Sequence, residues 1–332
     1  MVVIEISLFK FLSGQLDSMR KNILFTGGGG AGTEAIWKLW KDKYSLYFAD
    51  ASVQAITPVI PRDRRVSIPL ASDLSFCITL CKVCQELDID LLVPGVDEEL
   101  SQLSALQGNS DWPEFLLPSQ AFVDLMLDKL ACFNAVASAG LMCPRTLPLM
   151  DAAEIGFPLI AKPRSGRGSR GVMLLQDIEQ VQAYLTLQQK QASAFIAQEH
   201  MKGQEYTVFV CADSYGQLRA VIPVKVNEKK GITISAKTEK VPEITEYVSK
   251  FQSYFKPSGV YNIQCVVLDD ATVMPFEVNP RVSTTFCLAL STGFDPVKIF
   301  LGEQNLEHPS CFTPKVDCSL QRNWVNTIIP IS

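Results

Sequence analysis

The sequence predicts a parallel α/β unit followed by an α+β unit, and three observations carry that prediction. Residues 22–99 alternate short apolar runs with amphipathic ones, the strand–turn–helix rhythm of a parallel sheet covered by helices. From Ile155 onward, short strands succeed one another across glycine turns, as in antiparallel sheet. Two later segments, 260–268 and 274–281, alternate polar and apolar residues in a way that lets them pair face to face.

In the first unit, residues 22–25 read as a strand, 27–32 as a glycine turn and 33–41 as a helix. Residues 45–49 form a second strand ending at Asp50, 77–87 a helix, and 90–94 a buried strand that runs into Gly95-Val96-Asp97-Glu98-Glu99. Ligands of such sheets sit at the carboxyl ends of the strands, where Gly27 to Gly32, Asp50 and Asp97 all fall. The turn satisfies G-x-G-x-x-G and Asp50 stands where a ribose-binding acid belongs, so it fits a dinucleotide fingerprint as well as a plain strand–helix turn. Residues 118–148 read as a helical pair, with Asp128-Lys129 on the first helix and the second ending near Ala139-Gly140. Strands are expected at 157–162, 172–175, 195–199 and 205–211, a helix at 177–189, and a glycine- and arginine-rich loop at 163–171. Residues after Phe312 show no clear pattern, and residues 1–18 read as an extension ahead of Met19.

Composition bounds the function. The 332 residues are 47% hydrophobic and 20% charged, with a net charge of −5 and no long basic run, which argues against a nucleic-acid surface. No apolar stretch reaches the roughly 18 uncharged residues of a membrane span, and the opening MVVIEISLFKFLSG lacks a basic secretory n-region. Among ten cysteines, Cys77, Cys81 and Cys84 recur at helical spacing with Leu80 and Leu87, as an apolar stripe does; the two histidines, His200 and His308, lie far away in sequence. Scattered thiols without a framework fit a reducing, cytoplasmic setting.

Candidate chemistry concentrates in three places. On a strand, Glu277 and Asn279 share one face while Phe276 and Val278 take the other, toward the core. A hairpin turning at Asp269-Asp270-Ala271-Thr272 sets Gln264 opposite Glu277 and Asn262 opposite Asn279, giving a patch of oxygen-bearing side chains of the kind hard divalent cations take. The loop from Lys162 to Gly171 is not a P-loop, but its glycines and serines let backbone N–H groups fold over phosphates, with Lys162 adding a point charge. In Gln198-Glu199-His200-Met201, followed by a turn at Gly203 and then Glu205, one acid suits an adenine amino group and the other ribose hydroxyls.

Together, the order of these motifs resembles the ATP-grasp superfamily, most closely the ATP-binding halves of the carbamoyl phosphate synthetase large subunit, and is similar to single-module amino-acid ligases. The resemblance implies an extension (1–20), a Rossmann-like pre-ATP-grasp domain (21–118) that shapes the acceptor site and binds no NAD, an ATP-grasp domain (119–310) with a small lid subdomain near 148–200, and a tail (311–332). It implies that Lys129 and Lys162 hold ATP phosphates, that Ser165, Gly166, Gly168 and Ser169 form the lid, and that Gln198, Glu199, His200 and Met201 line the adenine pocket. Glu205 would bind ribose, and Gln264, Glu277 and Asn279 would hold Mg2+ or Mn2+. Arg281 would face the γ-phosphate or an acyl phosphate, forming the catalytic set with Lys162 and Asn279, and the lysine-rich stretch 225–237 would contact substrate as a loop. The implied activity is an ATP- and magnesium-dependent ligase that activates a small carboxylate for attack by an amine, in a cytoplasmic protein that admits a homodimer. With one grasp module and no amidotransferase domain in this sequence, complete carbamoyl phosphate synthesis is not expected. A nicotinamide-dependent oxidoreductase using Gly27 to Gly32 and a non-catalytic ATP-binding module are the competing classes.

Overall fold

The protein, seen in a computed structural model that describes residues 20–301, 311–312, 314 and 316–323, is built on three sheets. The expected extension at 1–18 and His308 lie outside the described residues. The first sheet is parallel, in the order β3-β2-β1-β4-β5, from β1 (Asn22–Thr26), β2 (Ser45–Asp50), β3 (Arg65–Ser67), β4 (Leu91–Val93) and β5 (Glu114–Phe115). Its central strands read as continuous apolar runs because helices cover both faces: Ile23, Leu24, Leu46, Phe48, Leu91 and Leu92 are all buried. The edges β3 and β5, three and two residues long, escaped the sequence reading. On the Phe76–Glu86 helix the fully buried stripe is Phe76, Leu80 and Cys84, while Cys77 and Cys81 are half-buried at its margin.

The second sheet is a small antiparallel layer, in the order β6-β9-β7-β8, from β6 (Thr146–Pro148), β7 (Leu159–Pro163), β8 (Met173–Leu175) and β9 (Phe195–Glu199). It has its own core of Leu149, Leu159, Leu175, Val181, Tyr184 and Phe195. The third sheet has six antiparallel strands in the order β14-β13-β10-β11-β12-β15. They are β10 (Gln204–Ala212), β11 (Leu218–Lys230), β12 (Ile232–Thr238), β13 (Gly259–Val267), β14 (Val273–Asn279) and β15 (Ser319–Gln321).

Three expectations need correcting. The lysine-rich stretch 225–237 is not a loop but the β11–β12 hairpin, turning at Gly231. The residues after Phe312 include β15, which pairs with β12. Asp128 and Lys129 are not on the first helix of the pair: Gln120–Leu127 ends before them, Asp128 caps the second helix by accepting from Leu130 and Ala131 N–H groups, and Lys129 is its first residue.

One apolar cluster runs unbroken from the parallel sheet into the six-stranded one, joining Phe25, Trp40 and Phe48 to Phe209, Phe286 and Phe294. Trp40 meets Phe286 edge-on at 6.1 Å and Phe209 packs on Phe294 at 5.7 Å. This shared core packs β1, β2 and β4 against the strands β10, β11 and β13. The tight connection from β9 to β10 depends on Gly203, where a Cβ would meet the Val267 carbonyl oxygen at 2.3 Å and Val266 Cγ1 at 2.6 Å. Gly203→Ala is therefore expected to cost about 1–3 kcal/mol, read as a lowered urea-unfolding midpoint at unchanged slope.

Candidate functional site

The β13–β14 hairpin has the predicted register at its functional end, Asn262 opposite Asn279 and Gln264 opposite Glu277. Beyond Gln264 the register slips by one, Cys265 pairing with Pro275, so Phe276 is a bulged extra residue. Pro275 suits this place because it has no N–H to give to a ladder. The bulge overturns the expectation that Phe276 points into the core with Val278. Val278 is buried, but the Phe276 ring is half-buried at the site, with Lys162 Nζ and Lys229 Nζ each 5.8 Å from its centroid.

Lys162, near the end of β7, is 5% exposed and donates to the Phe276 carbonyl (2.7 Å) and to Gln198 Oε1 (2.8 Å). Gln198 keeps that orientation because its amide N–H donates to Thr146 Oγ1 at 2.9 Å, and the Thr146 hydroxyl donates to the Pro144 carbonyl at 3.0 Å. Burial pushes the Lys162 ammonium pKa down to about 8; Glu277 pulls it back up and Lys129 pushes it further down. Lys129 Nζ lies 3.2 Å from Glu277 Oε1 and donates to the Gly166 carbonyl at 2.8 Å. Glu277 Oε2 accepts from Gln264 Nε2 at 2.9 Å. Lys229 pairs with Glu205 at 2.6 Å and reaches Gln264 Oε1 at 3.3 Å.

These groups line a cavity of about 230 Å³. Every residue that the resemblance assigned to nucleotide binding lines it except Ser165 and Gly168, and Gly168 lines the neighbouring cavity instead. That second cavity, of about 460 Å³, shares Arg167, Ser169, Lys229, Gln264 and Glu277 with the first, and holds Asn279 and Arg281. It extends to the carboxyl ends of the parallel strands, at Gly27, Gly29, Asp50 and Glu99.

Asn279 is 7% exposed and donates to Asn262 Oδ1 at 3.3 Å, and Asn262 donates to the Arg281 carbonyl at 2.9 Å. Arg281 turns away from the smaller cavity, pairing with Asp97 and donating to the Val282 carbonyl at 2.8 Å. The glycine-rich loop is folded inward: Arg167 reaches across to Glu98 at 2.9 Å, and Gly166, Gly168, Ser169 and Gly171 all take positive φ. In the Gly27 to Gly32 turn, Asp50 is engaged by the backbone. Asp50 accepts from the Gly29 N–H on one oxygen and from the Ser52 N–H on the other, both at 2.9 Å. At Gly32 a Cβ would lie 3.1 Å from the Thr284 carbonyl oxygen, so that glycine lets the turn pack against the segment after β14.

The donor set at the hairpin fits a hard cation: one carboxylate, Glu277, and the amide oxygens of Gln264 and Asn279, in a cavity roomy enough for phosphate ligands. Among the described residues no group of three or more His, Cys, Asp or Glu side chains could hold a metal, so most of the coordination there would come from phosphate oxygens and water. Sequence reasoning did not single out Lys229, Thr146, Arg164, Glu98 or Glu99. Arg164 forms a two-pronged pair with Asp128, at 2.7 and 2.6 Å, behind the loop.

With that geometry in place, the comparison that bears on it is a family match: residues 126–285 match the family model described as the ATP-grasp domain. The carbamoyl phosphate synthase large chain of Clostridium acetobutylicum is 27% identical over 158 residues, which are 44% of this chain and 15% of that one, so this chain spans a small part of that relative's length. The fold is shared with the biotin carboxylase domain dimer of Hydrogenobacter thermophilus 2-oxoglutarate carboxylase, solved with MgADP, ADP and bicarbonate. That likeness has TM-score 0.64 and 14% identity, and covers 86% of this chain and 70% of that one. The L-amino acid ligase of Bacillus licheniformis is similar at TM-score 0.63 and 15% identity, covering 84% and 72% of the two chains. No helix among the described residues is long and apolar enough to cross a membrane.

The Gln198 orientation rests on one hydroxyl. Thr146→Val keeps the volume but leaves the buried Gln198 amide short of an acceptor, with an expected loss of about 1–3 kcal/mol in stability by thermal or urea unfolding.

Proposed function

We propose that the chain is an ATP- and magnesium-dependent ligase that phosphorylates a small carboxylate and passes the acyl group to an amine. The observation that carries this reading is the pair of cations, buried Lys162 and half-buried Lys129, that share one cavity with Glu277 and Gln264 under a glycine-rich loop. In this reading Lys129 and Lys162 grip the phosphates, and Gly166 to Ser169 close over them. Gln198 to Met201 hold the adenine, and Glu205 takes the ribose after Lys229 lets go of it. Gln264, Glu277 and Asn279 would hold Mg2+ or Mn2+, which neutralises charge on the phosphate oxygens. A carboxylate oxygen attacks the γ-phosphorus and ADP leaves; the amine then attacks the acyl carbon and phosphate departs. The protein's share is positioning and charge neutralisation. Residues 21–118 would shape the acceptor side through the larger cavity, where Arg281, held by Asp97, meets the acyl phosphate.

The direct test is ADP release from Mg-ATP with the pooled twenty amino acids and a pool of small carboxylic acids, each with hydroxylamine added to trap an acyl phosphate as the hydroxamate. ADP release without hydroxamate in any pool contradicts the ligase reading. Glu277→Gln is expected to lower turnover by about a hundredfold, equivalent to roughly 3 kcal/mol, in a protein that still folds by circular dichroism. Wild-type turnover in that variant would remove Glu277 from the metal and phosphate machinery.

The depressed Lys162 pKa makes a second prediction, with a definite sign. Burial holds the free ammonium near 8, and a bound polyphosphate favours its charged form, so binding raises that pKa and takes up a proton. Affinity for MgADP should be flat below pH 8 and fall above it. Calorimetry in two buffers of different ionisation enthalpy reads the proton uptake, which Lys162→Met should abolish.

A further inference from the structure

Glu99 is the buried acid of the larger cavity that the scheme above does not use. It sits in the first turn of the Asp97–Ser104 helix and is 2% exposed. All its hydrogen bonds fall on one oxygen: Oε1 accepts from the Thr26 hydroxyl, from the Gly95 N–H at 3.0 Å and from the Val96 N–H at 3.1 Å. The Val96 contact closes a capping box for the helix. Capping explains Oε1, but it gives no task to Oε2. Oε2 makes no hydrogen bond among the described residues, and Glu99 lines the cavity of about 460 Å³ that also holds Asn279 and Arg281.

We propose that Glu99 Oε2 is the base that receives the amine substrate and takes a proton from its ammonium before attack on the acyl phosphate. This inference rests on the ligase reading and deepens it by naming the acceptor's chemistry: a primary ammonium entering from the side of the parallel sheet. The step is balanced. The ammonium gives one proton to Glu99, leaving a neutral amine and a carboxylic acid. The nitrogen lone pair forms the C–N bond, the acyl C–O bond breaks, and phosphate departs with the electron pair. The second nitrogen proton goes to that phosphate, and Glu99 returns its own proton to solvent.

The surroundings favour this role. Burial raises the Glu99 pKa to about 7, against the Thr26 hydroxyl, the Val96 and Gly95 amides and Arg281, all of which lower it. A carboxyl poised there exchanges protons readily at neutral pH. The charged group facing it is Arg281, already paired with Asp97; Arg167, Lys229, Asp50 and Glu277 are the other charges of the cavity wall. Ile68, Leu70 and Phe76 supply an apolar wall on the same side, suited to the carbon part of the amine.

Hydroxylamine tests the claim, because it is largely unprotonated at neutral pH and needs no base to become a nucleophile. Mg-ATP and the pooled amino acids, which carry both carboxylate and ammonium groups, serve as probes with and without hydroxylamine. Glu99→Gln should lose about a hundredfold in amide formation and keep hydroxamate formation within about threefold of wild type. Thr26→Val, which removes one donor from Oε1, should move the acid limb of amide formation to higher pH while leaving the hydroxamate reaction in place. Equal losses with both nucleophiles would make Glu99 a structural cap only, and no loss with either would remove it from proton transfer. Absence of hydroxamate from the wild-type protein would instead overturn the ligase reading itself, and this inference with it.

Discussion

The site depends on a single buried cation. Lys162 comes from the small sheet, and it bonds to the Phe276 carbonyl of the six-stranded sheet at 2.7 Å, so one ammonium ties two layers together. Removing a charge from water costs several kcal/mol even after relaxation, and no single contact here returns that sum. Gln198, the Phe276 carbonyl, the nearby Glu277 carboxylate and the flanking faces of Phe133 and Phe276 share the task. The depressed pKa measures what is left unpaid. A residue kept in that condition is poorly explained by stability alone, because a well-packed apolar side chain would cost the fold less. A ligand of high negative charge resolves the deficit, and the cavity beside Lys162 is where one would sit.

The site keeps its charges in order by pairing them internally. Glu277 holds Lys129, and Glu205 holds Lys229, while Gln264 touches members of both pairs. Each partner has a second use in the ligase reading, so binding is an exchange rather than an addition. A cation on Glu277 frees Lys129 for phosphate, and a ribose on Glu205 frees Lys229. Exchange lowers the desolvation cost of filling the cleft, since these groups have already surrendered much of their water.

What could be read from the sequence follows the reach of each physical signal. Strand alternation is local and strong, so the facing of Gln264 with Glu277 and of Asn262 with Asn279 was legible. The bulge at Phe276 was not, because alternation carries no mark of one inserted residue, and only Pro275 hinted that the ladder breaks. Asp128 was legible as a polar residue amid helix formers, but residues 120–138 run on without glycine or proline, which hid the cap between two helices. The strands β3 and β5 are too short for any period to show. The glycine turn misled in the opposite way. Its spacing fits dinucleotide binding, while its glycines answer to close approaches of Val96, Ala55 and the Thr284 backbone. Thr146 gave no signal at all, since its importance lies in one hydrogen bond made by a strand fifty residues on.

The acids after β4 join these observations. Asp97, Glu98 and Glu99 open one helix, where successive side chains point about 100° apart and so reach three different neighbours. Asp97 holds Arg281 beside the β14 amide, Glu98 holds Arg167 of the glycine-rich loop, and Glu99 turns back to Thr26 of β1. The sequence order that makes them adjacent also makes their settings interdependent. Exposed pairs such as Arg167 with Glu98 contribute little to stability. Their value is positional: they register the glycine-rich loop against the helix that walls the larger cavity.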